Sequence, residues 1–197
     1  MAKRVFTEEE RDEYREKMLA AGFDLLKKYG MTHMSIAKIT DAAGIGVSTF
    51  YNFFPSKEAY VYEVIRYRRK IIPDLMKMAL NGKEKAGPAE VRTYLKFMVD
   101  ENYSTFPSLT PEDEQKFLEM LPEQARPNLQ REKEIGAGFI KWMDGVRPDV
   151  NIAVAANLIK IYVLGAEGRD MLHEVAYEET MERMRDAIIY EIFGRIE

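Results

Sequence analysis

Val47, Ser48, Thr49, Tyr51 and Asn52 gather three hydroxyls, an amide and one short branched apolar side chain within six residues, and Lys57 adds an ammonium shortly after. None of these is a strong nucleophile or acid at neutral pH. Hydroxyls, amides and ammonium groups do suit phosphate oxygens, and short side chains on a helix can meet base edges in a major groove. Ser35, a hydroxyl at the head of the preceding stretch, joins this candidate set of DNA contacts. Little else in the chain offers chemistry. There is no nucleophile elbow, phosphate-binding glycine loop or dinucleotide fingerprint, and cysteine is absent. The two histidines, His33 and His173, lie far apart, so neither a metal nor a cofactor is expected. Glu112, Asp113 and Glu114 are consecutive, point in different directions on a helix, and read as a charge cluster at a helix N-terminus.

The elements that must carry the candidate set are two short helices. Ser35 is a helix N-cap, the helix it opens runs from Ile36 to Ala43, and Gly44 stops it. A second helix follows over 47–53. Ile36, Ile39 and Ala43 turn the first inward, and Phe50 and Phe54, four apart, do the same for the second. The glycine-containing turn between them is that of a helix-turn-helix, which leaves Val47, Ser48, Thr49, Tyr51 and Asn52 on or near the outer face. A helical hairpin serving only as scaffold is the plainer alternative.

The run from Ala43 to Glu58, AGIGVSTFYNFFPSKE, resembles the signature of TetR-type transcriptional regulators, in which Ala-Gly-Val-Ser is followed by a small residue, Thr, Tyr, Phe and Ser-Lys-Glu at fixed spacing. The likeness extends back through Met18–Ala21 and Gly30, covering roughly residues 15–60. It implies that Val47 and Ser48 read base edges, that Thr49, Tyr51 and Asn52 grip the phosphate backbone, and that Lys57 faces a phosphate from the next helix. Two positions depart from the pattern. Gly46 stands for the usual serine, removing a hydroxyl cap, and Val47 stands where a polar residue is frequent. Valine can pack on a thymine methyl group, so an operator with thymine at that contact is expected.

The chain around this segment reads as all-α, with an N-terminal helix-turn-helix domain over 1–54 and a larger helical effector-binding and dimerisation domain over 55–197. Thr7 with Glu10 forms a capping box, and a helix from there ends at Gly30. Pro55–Glu58 opens a long helix through Leu75, bent at Pro73. Further helices are expected over 89–105, 111–121 and 127–144, then from Val150, capped by Asp149, to Leu164, and from Glu178 to Phe193. Residues 1–70 hold 13 Lys/Arg against 10 Asp/Glu, and the rest hold 16 against 23. A basic N-terminal third fits a polyanionic partner, with Lys3 and Arg4 as a possible minor-groove arm. Arg66, Arg68, Arg69 and Lys70 read as a solvated face.

The 150–164 stretch is apolar nearly all round, and the last helix carries an apolar row. Ile152, Ala155, Ile159, Met181, Met184, Ile188 and Ile192 are therefore expected at a homodimer seam, as the resemblance also implies. Phe97, Glu101, Phe139, Trp142, Asn157 and Tyr162, with Phe106 and Phe117 among neighbouring aromatics, could line a pocket for a small, largely apolar effector. Asn157 could equally be an interface amide. The expectation is a cytoplasmic homodimeric repressor on a palindromic double-stranded operator, released by that effector, with no membrane partner. The alternatives are a helix-turn-helix regulator without an effector, a small helical enzyme and a structural helical protein.

Overall fold

In the computed structural model, ten α-helices and a few short 3₁₀ turns account for the regular structure among the described residues, which are 7–104, 111–121, 123, 126 and 129–197. Lys3, Arg4 and Phe106 lie outside them. The chain divides into two units, Met1–Lys70 with Thr105–Arg126, and Ile71–Ser104 with Pro127–Glu197. No strand forms among the described residues; a single parallel bridge joins Ala86 and Met143.

The first unit is built on α1 (Glu8–His33), which starts at the expected capping box. The Thr7 hydroxyl accepts from Glu10 N–H, and the Glu10 carboxylate accepts from Thr7 N–H. Gly30 breaks the helix rather than ending it: its backbone turns to φ 62°, and one more helical turn follows to His33. Beyond it come α2 (Ile36–Ala43), α3 (Val47–Phe50) and α4 (Lys57–Arg68). Ser35 caps α2 and Gly44 ends it in the left-handed conformation, both as expected. α3 is shorter than the expected 47–53, because the chain tightens into a turn after Phe50. α1 packs on α2 and α4, and α7 (Pro111–Met120) lies against α1 and α4. Met18, Leu19, Phe23 and Leu26 from α1 meet Ile39, Phe50, Phe54, Tyr60, Val61 and Val64 in one buried cluster, flanked by Phe117 and Met120 of α7. Each such side chain contributes about 1.5–3 kcal/mol of transfer free energy. At Gly22, α1 comes so close to α4 that an added Cβ would stand 2.3 Å from the Tyr60 hydroxyl and 2.4 Å from Val64 Cγ2.

The long helix expected through Leu75 is divided. α4 stops at Arg68, a 3₁₀ turn covers Arg69–Ile71, and α5 (Ile72–Leu80) begins with Pro73 in its first turn. Proline has no N–H to continue the ladder and its ring crowds the preceding turn, so a restart places it where neither matters. The second unit contains α5, α6 (Pro88–Val99), α8 (Leu129–Ile140), α9 (Ile152–Glu167) and α10 (Tyr177–Phe193). α6 ends six residues before the expected 105, at a turn closed by Asp100. Asn151, not Asp149, caps α9, its side-chain oxygen accepting from Ala153 and Val154 N–H. Asp149 is drawn instead to Arg147, with two contacts of 2.6 and 2.7 Å.

Residues expected at a dimer seam mostly fill this unit's own core. Ala155, Met181, Ile188 and Ile192 are buried with Val91, Leu95 and Phe193, while Ile159 and Met184 are half-buried against them and Ile152 is half-buried beside α8. Ile152, Ile159 and Met184 keep part of their surface open. The large apolar side chains that α9 and α10 leave exposed are Val154, Ile161, Leu164 and Tyr190.

Candidate nucleic-acid interface

An aromatic clasp fixes the outward face of α3. Phe50 is fully buried, with its ring centroid 5.5 Å from Phe54 and 5.6 Å from Tyr60, and Phe54 stacks edge-on against Tyr60 at 5.0 Å. The Tyr60 hydroxyl donates to the Met18 carbonyl at 2.7 Å, and burial pushes this phenol well above its ordinary pKa. With the inner edge of α3 held, Val47, Ser48, Tyr51 and Asn52 are exposed and Thr49 is half-buried. Val47 is 48% and Tyr51 56% exposed, the large apolar side chains that this unit leaves open among its described residues.

The turn before α3 is rigid. Gly44 N–H donates to the Asp41 and Thr40 carbonyls, and Ile45 N–H to that of Thr40. Gly46 caps α3 without a side-chain bond, and nothing crowds the place a serine hydroxymethyl would take. Basic residues of α1 brace the far side: Arg11 donates to the Asn52 carbonyl at 3.2 Å and lies over the Phe53 ring, while Arg15 lies over Phe54 and pairs with Glu63 at 2.8 Å. Lys38 of α2 sits 4.1 Å from the Tyr29 ring and donates to the His33 carbonyl. The sequence reading did not single out Arg11, Arg15 or Lys38. Their only signal is a helical spacing of charges, which solvated faces share.

Ser35, Tyr51 and Lys57 border one open groove of about 520 Å³, with Thr32, Met34, Ile36, Pro55, Ser56 and Glu58. The Ser35 hydroxyl is exposed while it caps α2, accepting from Lys38 N–H at 3.3 Å. Lys57 turns its ammonium onto the Met31 carbonyl at 2.8 Å, tying the start of α4 to the end of α1. The face therefore offers hydroxyls, an amide and two exposed apolar side chains on a stiff support, with cations along its borders.

The six effector candidates differ in their surroundings. Glu101 and Asn157 are exposed, and Trp142 is largely so. Phe97 stacks on Tyr103 at 5.4 Å and Phe139 on Tyr94 at 6.1 Å, where burial lifts the Tyr94 phenol to about 12. Tyr162 is fully buried, and its hydroxyl accepts from Arg185 at 2.9 Å. A cavity of about 580 Å³ opens between α8 and the start of α9, and none of the six candidates borders it. Arg185 was missed by the sequence reading. It lies in the apolar row between Met181 and Ile188, is buried, and also binds Glu182, which pairs with Arg92; Arg92 in turn reaches Asp186 at 2.6 Å. A cation set in an apolar row is the signal that marks it. Among the described residues no group of three or more His, Cys, Asp or Glu gathers to hold a metal ion. No helix among them is long and apolar enough to cross a membrane.

Comparison with known proteins agrees with this architecture. No curated protein matches the chain in sequence. A regulator from Cytophaga hutchinsonii of the TetR family superposes with a TM-score of 0.63 at 15% identity, covering 98% of this chain and all of the other. A protein solved as the molecular basis for control of antibiotic production by bacterial hormones gives 0.64 at 17%, covering 90% and 96%. The regulator FadR from Bacillus subtilis, in complex with stearoyl-CoA, gives 0.54 at 15%, covering 90% and 98%. At these identities the likeness establishes the fold: all-α, with an N-terminal helix-turn-helix and a larger helical remainder. The profile of bacterial regulatory proteins of the tetR family matches residues 18–64, the stretch from the middle of α1 through most of α4 that builds the face described above, so this segment is similar to the N-terminal domain of that family.

Proposed function

We propose that the protein is a homodimeric transcriptional repressor that seats α3 of each chain in successive major grooves of a palindromic operator. The observation that carries this reading is the exposed row of Val47, Ser48, Tyr51 and Asn52, held outward by the buried Phe50. Val47 and Ser48 meet base edges, Val47 on a thymine methyl, and Thr49, Tyr51, Asn52, Ser35 and Lys57 meet phosphates or support those that do. Lys57 already holds the Met31 carbonyl, so its contribution is partly that of a strut.

Dimer pairing uses the exposed apolar stripe of α9. Val154, Ile161 and Leu164 fall at positions i, i+7 and i+10 of one helical face, with Asn157 between them, and Tyr190 of α10 is exposed as well. Asn157 then serves as an interface amide rather than a pocket residue. Two-fold pairing sets two recognition helices about 34–36 Å apart, one turn of the duplex. An effector acts by binding more tightly to an arrangement that misses this spacing, since equal affinity for both would shift nothing. The bacterial hormones named for one similar structure, and the stearoyl-CoA with its long apolar chain in another, support a ligand-responsive regulator. A regulator without an effector is the second reading, favoured by the exposure of Glu101 and Asn157 and the burial of Tyr162. The protein works in the cytoplasm and catalyses no reaction.

Duplexes selected by the protein from a random pool test the central reading. Tyr51→Ala, at an exposed position, is expected to weaken binding to the selected duplex by about tenfold while the melting temperature stays near that of the wild type. Unchanged affinity at matched salt would count against α3 as the reading element.

A further inference from the structure

We infer that Asp113 is a positioning residue for DNA recognition, a clasp that sets the join between α1 and α2 and with it the aim of α3; this rests on the DNA-binding reading above. Asp113 stands in the first turn of α7 and is only 2% exposed. Its two carboxylate oxygens accept from Met31 N–H at 2.8 Å and from the Thr32 hydroxyl at 2.6 Å. Both donors lie just beyond the break at Gly30, where φ 62° interrupts the helical ladder and frees an N–H that an unbroken helix would use internally. A buried carboxylate without such donors would be costly, so the break and the acid require each other.

The same residue, Met31, is held from the other side by the Lys57 ammonium on its carbonyl. α7 and α4 thus grip one residue between them, four positions ahead of the Ser35 cap that starts α2. Between Met31 and α3, Met34 is buried, Ser35 caps α2, and Gly44 closes the turn with its N–H on the Asp41 and Thr40 carbonyls. Rotation at the Gly30 break therefore carries α2 and α3 as one piece. Gly30 is required for two reasons. Its positive φ disfavours other residues, and a Cβ there would lie 2.7 Å from the Asp113 Oδ2 atom. Of three consecutive carboxylates, the sequence pattern does not show which one turns inward; the structure shows that Asp113 does.

The test exploits the direction of the charge change. Asp113→Asn removes a negative charge from the unit that meets a polyanion, so electrostatics alone would strengthen binding to any duplex. The clasp requires the opposite for the selected duplex, because a neutral amide oxygen is a weaker acceptor for Met31 N–H than a carboxylate and the Thr32 hydroxyl must turn round to accept from the amide nitrogen. Anisotropy titrations of the full chain on its selected duplex and on a scrambled one should show specific affinity falling about tenfold or more, with affinity for the scrambled duplex unchanged or higher. Amide exchange at Met31 and Thr32 should accelerate. Thr32→Val, at an exposed site that tolerates change, should give a smaller loss of the same kind even where Asp113→Asn lowers stability. Gly30→Ala should reproduce the Asp113→Asn loss and add little to it in the double variant. Specific affinity within about twofold of the wild type in Asp113→Asn or Thr32→Val, alongside faster exchange at Met31, would overturn the inference. So would a fall in melting temperature without loss of discrimination by the folded protein. A wild-type chain that selects no duplex contradicts the DNA-binding reading itself, a result distinct from either.

Discussion

Single residues decide where backbone and side chain meet most closely, and Gly22 is the sharpest case. A methyl group there would run into the Tyr60 hydroxyl and Val64, both in the interior of the helix pair α1 and α4. Gly22→Ala is expected to destabilise the N-terminal unit by about 1–3 kcal/mol, seen as a lower midpoint in urea unfolding with an unchanged slope. The sequence offered no sign of this, since a glycine in mid-helix looks like a weakness until its neighbour is known. Asp113 was obscure for a related reason: three adjacent acids satisfy the preference of a helix start equally, and only tertiary structure distinguishes them. Ser35, Gly44, Thr7 and Glu10 were legible because capping is local and uses groups within four residues.

Among the elements, α10 shows how a buried charge is accommodated. The Arg185 guanidinium, through its hydrogen bond to Glu182, holds that carboxyl below the usual glutamate range despite partial burial, and Arg92 adds to the effect. A carboxyl whose pKa is depressed in the folded state stabilises the protein above its unfolded pKa, and the contribution disappears as pH falls through the folded value. Glu182→Gln should therefore lower the melting temperature at neutral pH, with the gap to wild type closing as pH drops below about 4.3. A gap that stayed constant down to acid pH would remove the ion pair from the account. The elements themselves were readable where a periodic apolar face met a cap. They were misjudged where a proline restarted a helix, as at α5, or where two acceptors competed to cap one, as Asp149 and Asn151 did. Pairing with Arg147 withdrew Asp149 from that competition.

For the whole molecule, the distinction between core and seam was the part that sequence could not supply. Periodicity shows that a face is covered without showing whether its own chain or another covers it. Met181, Ile188 and Ile192 are covered by their own unit, while Val154, Ile161 and Leu164 remain open, Leu164 being 63% exposed. Leu164→Glu is accordingly expected to leave the fold intact and to shift the protein from dimer to monomer in sedimentation velocity, with specific DNA affinity lost in step. The exposed face of α3 was legible because its residues and its supporting turn occupy one short contiguous run; a pocket was not, because aromatic residues serve core and pocket alike. The most direct measurement is a hydroxyl-radical footprint of the wild-type protein on its selected duplex. The account predicts two protected patches on one face of the helix, centred about one turn apart, each weakened by Tyr51→Ala. A single patch, or uniform protection that Tyr51→Ala leaves untouched, would contradict it.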